Sequence, residues 1–386
     1  MENTKKITVM QLLPSLESGG VERGTIDIAK ILKKENFEPI VASAGGVLVY
    51  DLRESGITHI EIPSLKSKNP ISIILNIGRL RKLIINHDID IIHARSRAVM
   101  WSAYFACKKY NTKLVSTVHG TYSCDFLGIN NFFLKKLYNA VMLKAERVIT
   151  VSHFIKSYLL QNYLGNFCNK ISVIQRGVDL VYFNSQRVSK NRVIDLSKKW
   201  NLPEDKKIIL MPARFTAWKG HEFLIEALTQ VESDFFCVMV GSDHGHKKYR
   251  KKIEERIVQK NLESKVRVVD NCRDMPAAYA IAHFVVSPSI RPEAFGRISI
   301  EAQASNKIIV ATKTGGALET IIVGQTGFLV DIGDHSNLAK TIDMVLKLDK
   351  EIVDKISSAG RKNIEQNFSS KQMCDLTLDI YRQVLN

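Results

Sequence analysis

Short runs rich in β-branched residues alternate with helix-length amphipathic segments along nearly the whole chain. This alternation limits the possible folds more than any other feature, because strands separated by helices are typical of parallel βαβ units. The first half contains KITVMQLL, PIVASA, THIEIP, IDIIHAR, KLVSTVHG, RVITVS and ISVIQ, and the second contains KIILMPARF, FFCVMVG, KVRVVD, FVVSPS, KIIVAT and TGFLV. The sequence therefore predicts an α/β protein with two Rossmann-like, doubly wound domains.

A polar stretch without strand-like runs separates the two sets of strands. We expect an N-terminal domain over 1–183, a linker over 184–204 and a C-terminal domain over 205–367. A last amphipathic helix over 368–386 is expected to cross back to the N-terminal domain. Two domains agree with the length, because 386 residues exceed a typical single core.

Composition excludes several classes of protein. No apolar run is long enough to span a bilayer and no signal peptide is evident, so we expect a cytoplasmic protein. The six cysteines are scattered without metal-binding or disulfide spacing. A net charge of +16 favours a polyanionic partner, either an anionic membrane surface, a phosphorylated small molecule or nucleic acid. Since no nucleic-acid-binding motif is present, nucleic acid is not expected.

Ligands of open parallel sheets bind at the carboxyl ends of the strands, so the following loops carry the candidate residues. Gly19 and Gly20 follow the first strand and precede a helix whose amides could meet an anion, although an ordinary turn is an equal alternative. Their spacing is not the G-x-G-x-x-G of dinucleotide sites, which disfavours a nicotinamide oxidoreductase. His119 ends the strand KLVSTVHG, where a structural histidine and a functional one are equally open.

The loops of the second half favour a phosphorylated ligand. Arg214 and Lys219 follow its first strand beside a helix start, where two cations could neutralise a diphosphate or be merely solvated. In EAFGRISIE, a helix starting near Gly296 would offer free amides to phosphate, and Glu301 on its early turns suits a ribose diol. Glu293 lies before the turn. The separation of the two acids favours one extended ligand held at both ends over an acid/base pair in contact.

Seven motifs in order give the chain a family resemblance: the Gly19–Gly20 loop, VHG at 118–120, ITVSHF at 149–154, IQRGVD at 174–179, R-x4-K at 214–219, VMVG at 238–241 and E-x7-E at 293–301. The chain resembles the retaining glycosyltransferases of the GT-B fold, family four (glycosyl transferases group one), and bacterial lipopolysaccharide core enzymes among them. That resemblance covers nearly the whole length. It implies two domains facing across a cleft and a nucleotide-sugar donor.

The resemblance also implies roles for individual residues. It assigns Arg214 and Lys219 to the donor diphosphate, Glu301 to the ribose, Glu293 to the donor sugar and His119 to the reaction centre. The remaining donor-binding positions are Gly19, Gly20, Gly241, Phe295 and Gly296. Two residues depart from the family pattern, Ala294 in place of proline and Arg176 in place of asparagine, and they put donor specificity in doubt more than activity.

The resulting expectation is a hexosyltransferase that retains the anomeric configuration and needs no metal or other cofactor. The D-x-D at Asp88–Asp90 leads into a strand and is interpreted as structural. GDP-mannose is the favoured donor, and a lipid-linked or lipopolysaccharide-core glycan the favoured acceptor.

A basic segment over 131–149, with Phe133, Leu134, Leu137, Val141 and Met142 near helical spacing, could rest on anionic lipid at the inner face of the plasma membrane or pack on the core. A nucleotide-sugar 2-epimerase and a nucleotide-sugar-binding protein without turnover remain alternatives.

Overall fold

The computed structural model describes residues 6–17, 19–121, 132–243 and 245–386, with the backbone alone at 132–135. The chain divides into two compact units. The first comprises the residues up to Arg176 together with Ser370–Asn386, and the second comprises Gly177–Ser369.

The first unit is built on a seven-stranded parallel sheet of order β3-β2-β1-β4-β5-β6-β7. Its strands are β1 Thr8–Leu12, β2 Glu38–Ser43, β3 Thr58–Glu61, β4 Ile91–Ala94, β5 Lys113–Val118, β6 Arg147–Thr150 and β7 Ile171–Val173. Its helices are α1 Gly20–Lys34, α2 Val49–Glu54, α3 Pro70–Asn86, α4 Arg97–Cys107, α5 Phe132–Asn139, α6 His153–Asn162 and, at the chain end, α15 Ser370–Leu385. Burial on both faces explains why the central strands β1, β4 and β5 are rich in apolar residues.

The second unit repeats this plan with a six-stranded parallel sheet of order β10-β9-β8-β11-β12-β13. The strands are β8 Ile208–Pro212, β9 Phe236–Val240, β10 Val266–Val269, β11 Phe284–Ser287, β12 Ile308–Thr312 and β13 Gly327–Val330. The helices are α7 Lys190–Trp200, α8 His221–Leu228, α9 Lys247–Gln259, α10 Met275–Ile281, α11 Arg297–Ala304, α12 Ala317–Thr320, α13 His335–Lys347 and α14 Lys350–Asn367. The predicted fold class is confirmed, because every predicted strand run overlaps one strand of the two sheets.

The division between the units differs from the expected linker. It falls after Arg176, and part of the polar stretch at 184–204 forms α7 within the second unit. Ser189 caps this helix, and only Leu196 and Trp200 of its side chains are buried. A helix with so narrow an apolar face has the composition of a connector, so sequence analysis assigned it to a linker.

The C-terminal helix α15 covers one face of the first sheet. Its residues Met373, Leu378 and Tyr381 join a core cluster with Val9 of β1 and Val115 of β5. The last helix therefore belongs to the same hydrophobic core as the beginning of the chain. Among the described residues, no helix combines the length and apolar character needed to span a bilayer.

Burial of His221 should make stability depend on pH. Its ring stacks on Phe215 with centroids 4.7 Å apart, and burial lowers the pKa of the imidazole from 6.5 to about 4. As pH falls, the unfolded chain binds this proton first, so stability is lost between these two values. We expect His221 to contribute a loss of about 2 kcal/mol in the free energy of unfolding between about pH 7 and about pH 5. Urea denaturation at both pH values measures it. The variant His221→Phe should show a correspondingly weaker dependence, and equal dependence in both proteins would contradict the assignment.

Candidate active site

Three loops meet at the carboxyl edge of the second sheet, after the neighbouring strands β8, β11 and β12. The first two interlock through their backbones, since the Ile290 amide donates to the Trp218 carbonyl at 2.9 Å. Gly220 has φ +79°, and a Cβ at this position would collide with the Pro288 carbonyl. A glycine is therefore required where the β8 loop turns into α8.

The third loop is locked to the second in the same way. The Gly316 amide donates to the Glu293 carbonyl at 2.9 Å. A Cβ on Gly315 would meet the backbone of Glu293, and one on Gly316 would meet the backbone of Phe295. The two glycines let the chain around Glu293 lie directly on the β12 loop, so the position of this acid is fixed by backbone contacts.

Lys219 and Glu293 form an ion pair at this edge. Lys219 Nζ lies 2.8 Å from Glu293 Oε1, and the two side chains are only 9% and 15% exposed. Ser289 Oγ donates to the same carboxylate oxygen at 2.5 Å. The ammonium also lies 4.4 Å from the centre of the Trp218 ring. Because the pair is largely buried and the carboxylate also accepts from Ser289, the ammonium is fixed in place before any anionic ligand binds.

Arg214 provides a second cation on the same loop. Its side chain is exposed, and no described carboxylate forms an ion pair with it. The loop itself is anchored to the end of β9, where a Cβ on Gly241 would strike the Ala213 carbonyl and where the Phe215 amide donates to Ser242. The structure thus places Arg214, Lys219 and Gly241 at one edge of the second sheet. Their role in donor binding stays a prediction.

Glu301 is held by two partners on α10 and α11. Arg297 Nη2 lies 2.9 Å from its Oε1, and the Tyr279 hydroxyl donates to its Oε2 at 3.0 Å. Burial first, and then the neighbouring Glu301, raises the pKa of Tyr279 well above its usual value, so this hydroxyl stays a donor. The carboxylate remains 15% exposed and keeps oxygen lone pairs for further donors.

The turn between the two acids has a packing residue and a helix start. Gly296 has φ +82° and precedes α11, as predicted. The Phe295 ring is buried, with its centroid 5.8 Å from that of Phe368. Its side chain therefore anchors the turn by packing into the core, and any contact of Phe295 with a ligand would involve the backbone.

The first unit carries the other predicted residues at the corresponding edge of its own sheet. Gly19 and Gly20 lie at the start of α1, and His119 follows β5. Arg176 Nη2 donates to His119 Nδ1 at 2.7 Å. Burial and then the Arg176 guanidinium hold the pKa of His119 well below its usual range. His119 is therefore neutral near pH 7, with its proton on Nε2.

The remaining sequence features lie away from these edges or within the core. Asp90 precedes β4, where its carboxylate accepts the Thr8 amide at 2.8 Å. Val141 and Met142 of the basic segment are buried, whereas Leu137 is exposed. The side chains of Phe133 and Leu134 lie outside the described residues. Within the described part of the chain, no three His, Cys, Asp or Glu side chains cluster as metal ligands would.

The contact between Gly315 and Glu293 can be tested by substitution. Gly315→Ala adds a Cβ that collides with the Glu293 backbone at a φ of +55°. We expect it to lower the free energy of unfolding by more than about 2 kcal/mol. Gly324→Ala is the matched control, because Gly324 has φ +75° but open space around it. Chemical denaturation of the two variants compares them, and equal losses would show that backbone conformation alone accounts for the effect.

Comparison with known proteins decides the family. The model described as glycosyl transferases group 1 matches residues 193–363, and the model described as Glycosyltransferase Family 4 matches residues 18–182. A crystal structure of a glycosyltransferase from Rickettsia africae ESF-5 is 41% identical, with a TM-score of 0.90 over 99% of each chain. The chain belongs to the group 1 glycosyltransferases.

Two further proteins resemble this glycosyltransferase over its whole length. The capsular polysaccharide biosynthesis glycosyltransferase CapM of Staphylococcus aureus is 24% identical, with 100% of this chain and 98% of CapM covered. Anabaena Alr3699/HepE, solved in complex with UDP-glucose, is 23% identical, with a TM-score of 0.84 over 98% of this chain and 100% of its own. These likenesses support the GT-B fold of this glycosyltransferase.

Sequence reasoning missed the partners of both acids in this glycosyltransferase. Ser289 and Tyr279 hold Glu293 and Glu301 through hydroxyl groups. Ser289 lies just after β11, so the rule that loops at strand ends carry function could have found it. Tyr279 lies on α10 among apolar residues, and no local pattern distinguishes it from a core tyrosine.

Proposed function

We propose that this glycosyltransferase moves a hexose from a nucleoside-diphosphate sugar to a glycan acceptor, with retention of configuration at the anomeric carbon. The observation that carries the proposal is the cluster of Lys219, Glu293 and Ser289 on interlocked loops. It joins a cation suited to a diphosphate with an acid suited to sugar hydroxyls. Glu301, on the helix that follows, supplies the oxygen atoms that a ribose diol needs.

In this mechanism the bond between the anomeric carbon and the diphosphate oxygen breaks as negative charge gathers on the diphosphate. Lys219 and Arg214 stabilise that charge, and Lys219, held by Glu293 before the reaction, acts without reorganising. The acceptor hydroxyl oxygen forms the new bond to the anomeric carbon on the same face and gives its proton to the departing diphosphate oxygen. No metal is proposed, because two cationic side chains take the part that a divalent ion has elsewhere.

Two nucleotide sugars are candidate donors. The sequence favoured GDP-mannose by resemblance, whereas the Anabaena neighbour was solved with UDP-glucose. Phosphate and ribose contacts of the kind described here are common to both nucleotides, so the base and the sugar are chosen by other residues. Both donors therefore belong in the first binding panel.

For the acceptor we propose a lipid-linked glycan, of the lipopolysaccharide-core or capsular type. The name of CapM places that relative in capsular polysaccharide biosynthesis. The net charge of +16 favours an acceptor displayed on an anionic membrane surface. We accordingly propose peripheral association with such a surface.

The test combines donor hydrolysis, transfer and stereochemistry. Purified protein is supplied with GDP-mannose, UDP-glucose, UDP-N-acetylglucosamine or UDP-galactose and a glycolipid extract, and the anomeric configuration of the product is read by NMR. Transfer with retention from one donor is the expected result. We also expect activity to survive EDTA within about twofold, since no step uses a divalent ion. Inversion at the anomeric carbon would contradict retention. A 2-epimer formed without acceptor would contradict transfer, and a full loss of activity in EDTA would contradict a mechanism without a metal.

A further inference from the structure

Helix α3 of the first unit has two apolar faces, and only one of them is buried. Leu80 and Ile84 of the inner face are buried, and the Ser102 hydroxyl of α4 donates to the Ile73 carbonyl at 3.1 Å. The opposite face carries aliphatic side chains that are between 56% and 66% exposed: Ile71, Ile74, Leu75 and Ile85. The packing of the first unit therefore leaves the outer face of α3 uncovered.

The four exposed residues form a single stripe along the helix, called the α3 stripe below. They lie at i, i+3, i+4 and i+14, spacings that return to the same side of an α-helix, and they span about 21 Å. Gly78 continues the stripe at i+7, and a Cβ at Gly78 would meet no atom within 4 Å. Since a helix that is apolar on both sides is normally covered on both, the α3 stripe indicates a further contact surface.

The surroundings of the α3 stripe are basic. From Ile62 to His87 the chain carries five lysines and arginines and no aspartate or glutamate, and α4 contains no acid either. Lys82 lies within the stripe and Lys68 precedes the helix, and both are exposed. Arg81 Nη2 donates to the Phe105 carbonyl at 3.1 Å, which places the exposed Phe105 of α4 beside α3. Apolar side chains among cations, without acids, complement an anionic surface that has an apolar interior.

We propose that the α3 stripe docks this glycosyltransferase on an anionic lipid bilayer, with its four aliphatic side chains at the acyl boundary and the neighbouring cations at the headgroups. A second copy of the chain fits less well, because pairing through the stripe would bring like charges together. In the basic segment over 131–149, Val141 and Met142 are buried in the core, which leaves α3 as the more exposed apolar helix. The inference rests on the proposed function, in which such a surface displays the acceptor.

The position of α3 in the fold agrees with this role. The helix connects the parallel strands β3 and β4, so its first turn lies towards the carboxyl edge of the sheet and its last turn towards the amino edge. His119 follows β5 at the same carboxyl edge. Contact along the α3 stripe therefore keeps the carboxyl edge of the first unit close to the membrane that displays a lipid-linked acceptor.

Vesicle flotation of the full-length protein tests the docking surface. Vesicles of phosphatidylcholine alone are compared with vesicles that also contain phosphatidylglycerol. We expect the wild-type protein to bind the anionic vesicles about tenfold or more tightly than the neutral ones, since the cations act only on anionic lipid. The double variant Ile74→Gln with Leu75→Gln should weaken binding to the anionic vesicles by about tenfold or more, because two aliphatic side chains no longer enter the acyl boundary.

Exposed leucines elsewhere in the first unit provide the matched controls. Leu164→Gln with Leu376→Gln makes the same chemical change at two side chains outside the stripe, and should leave vesicle binding within about twofold. Leu137→Gln makes it in the segment over 131–149 and should also leave binding within about twofold. Should the double variant of α3 not fold, Ile85→Gln at the other end of the stripe takes its place.

Four results would overturn the docking surface. The wild-type protein could fail to bind anionic vesicles, could bind neutral vesicles equally, could bind no more tightly than the α3 double variant, or could form a dimer that this variant dissociates. The last result would assign the stripe to a second copy. Nucleotide affinity separates this inference from the proposed function, because the double variant should bind UDP or GDP within about twofold of wild type. If neither nucleotide binds the wild-type protein, the proposed function fails, and flotation still decides the docking surface.

Discussion

Replacing Lys219 with methionine should lower kcat/KM by about a hundredfold to a thousandfold, the usual cost of removing one group that stabilises a developing oxyanion. The loss should appear mainly in kcat, because the charge on the leaving diphosphate is greatest in the transition state. Steady-state kinetics with the donor identified in the binding panel measure it. Methionine keeps the length and apolar stem of lysine, so packing against Trp218 is largely retained.

The substitution also strips Glu293 of its partner, and that effect needs its own control. A largely buried carboxylate left unpaired destabilises the fold. The double variant Lys219→Met with Glu293→Gln should recover thermal stability without recovering activity. Lys340→Met, at an exposed position of α13, controls for loss of a positive charge in the same unit. If the double variant regained activity, Lys219 would be a structural partner of Glu293 and not a donor-binding cation.

Replacing Glu301 with alanine should weaken nucleotide binding by about tenfold to a hundredfold, in line with the loss of hydrogen bonds to a charged group. The change should appear in KM more than in kcat, because the ribose lies away from the bond that breaks. Calorimetry with the nucleoside diphosphate and its 2′,3′-dideoxy analogue measures it. The wild-type protein should prefer the natural nucleotide, and Glu301→Ala should bind both alike.

Glu301 also accepts from Tyr279, so part of any loss could come from a disturbed α10. Tyr279→Phe removes that hydroxyl and leaves the carboxylate in its ion pair with Arg297. We expect this variant to keep nucleotide affinity within about threefold. Glu255→Ala, on the exposed surface of α9, controls for loss of an acid. A preference for the natural nucleotide that survives in Glu301→Ala would assign the ribose to another residue.

The residues whose positions the sequence predicted are those governed by local pattern. Alternating strand and helix periods located the thirteen strands of the described residues, and the strand ends then located Arg214, Lys219 and His119. Gly296 at the start of α11, with Glu301 on the following turns, needed only the helix period. Where the local pattern was weak, as in α7 with its narrow apolar face, the same reasoning assigned a linker to what is a helix.

By itself, the sequence determined the α/β class, the strand-end loops and the chemical types of residue that they carry, because periodicity and turn chemistry act between neighbours along the chain. Only the tertiary structure decided which of those residues meet. Lys219 reaches Glu293 because β8 and β11 are adjacent in the sheet, and Tyr279 reaches Glu301 because α10 packs beside α11. Arg95 and Arg176 converge because both lie against Gly24. Such contacts depend on strand order and on the space left by a missing side chain. Neither can be predicted from a local stretch of sequence.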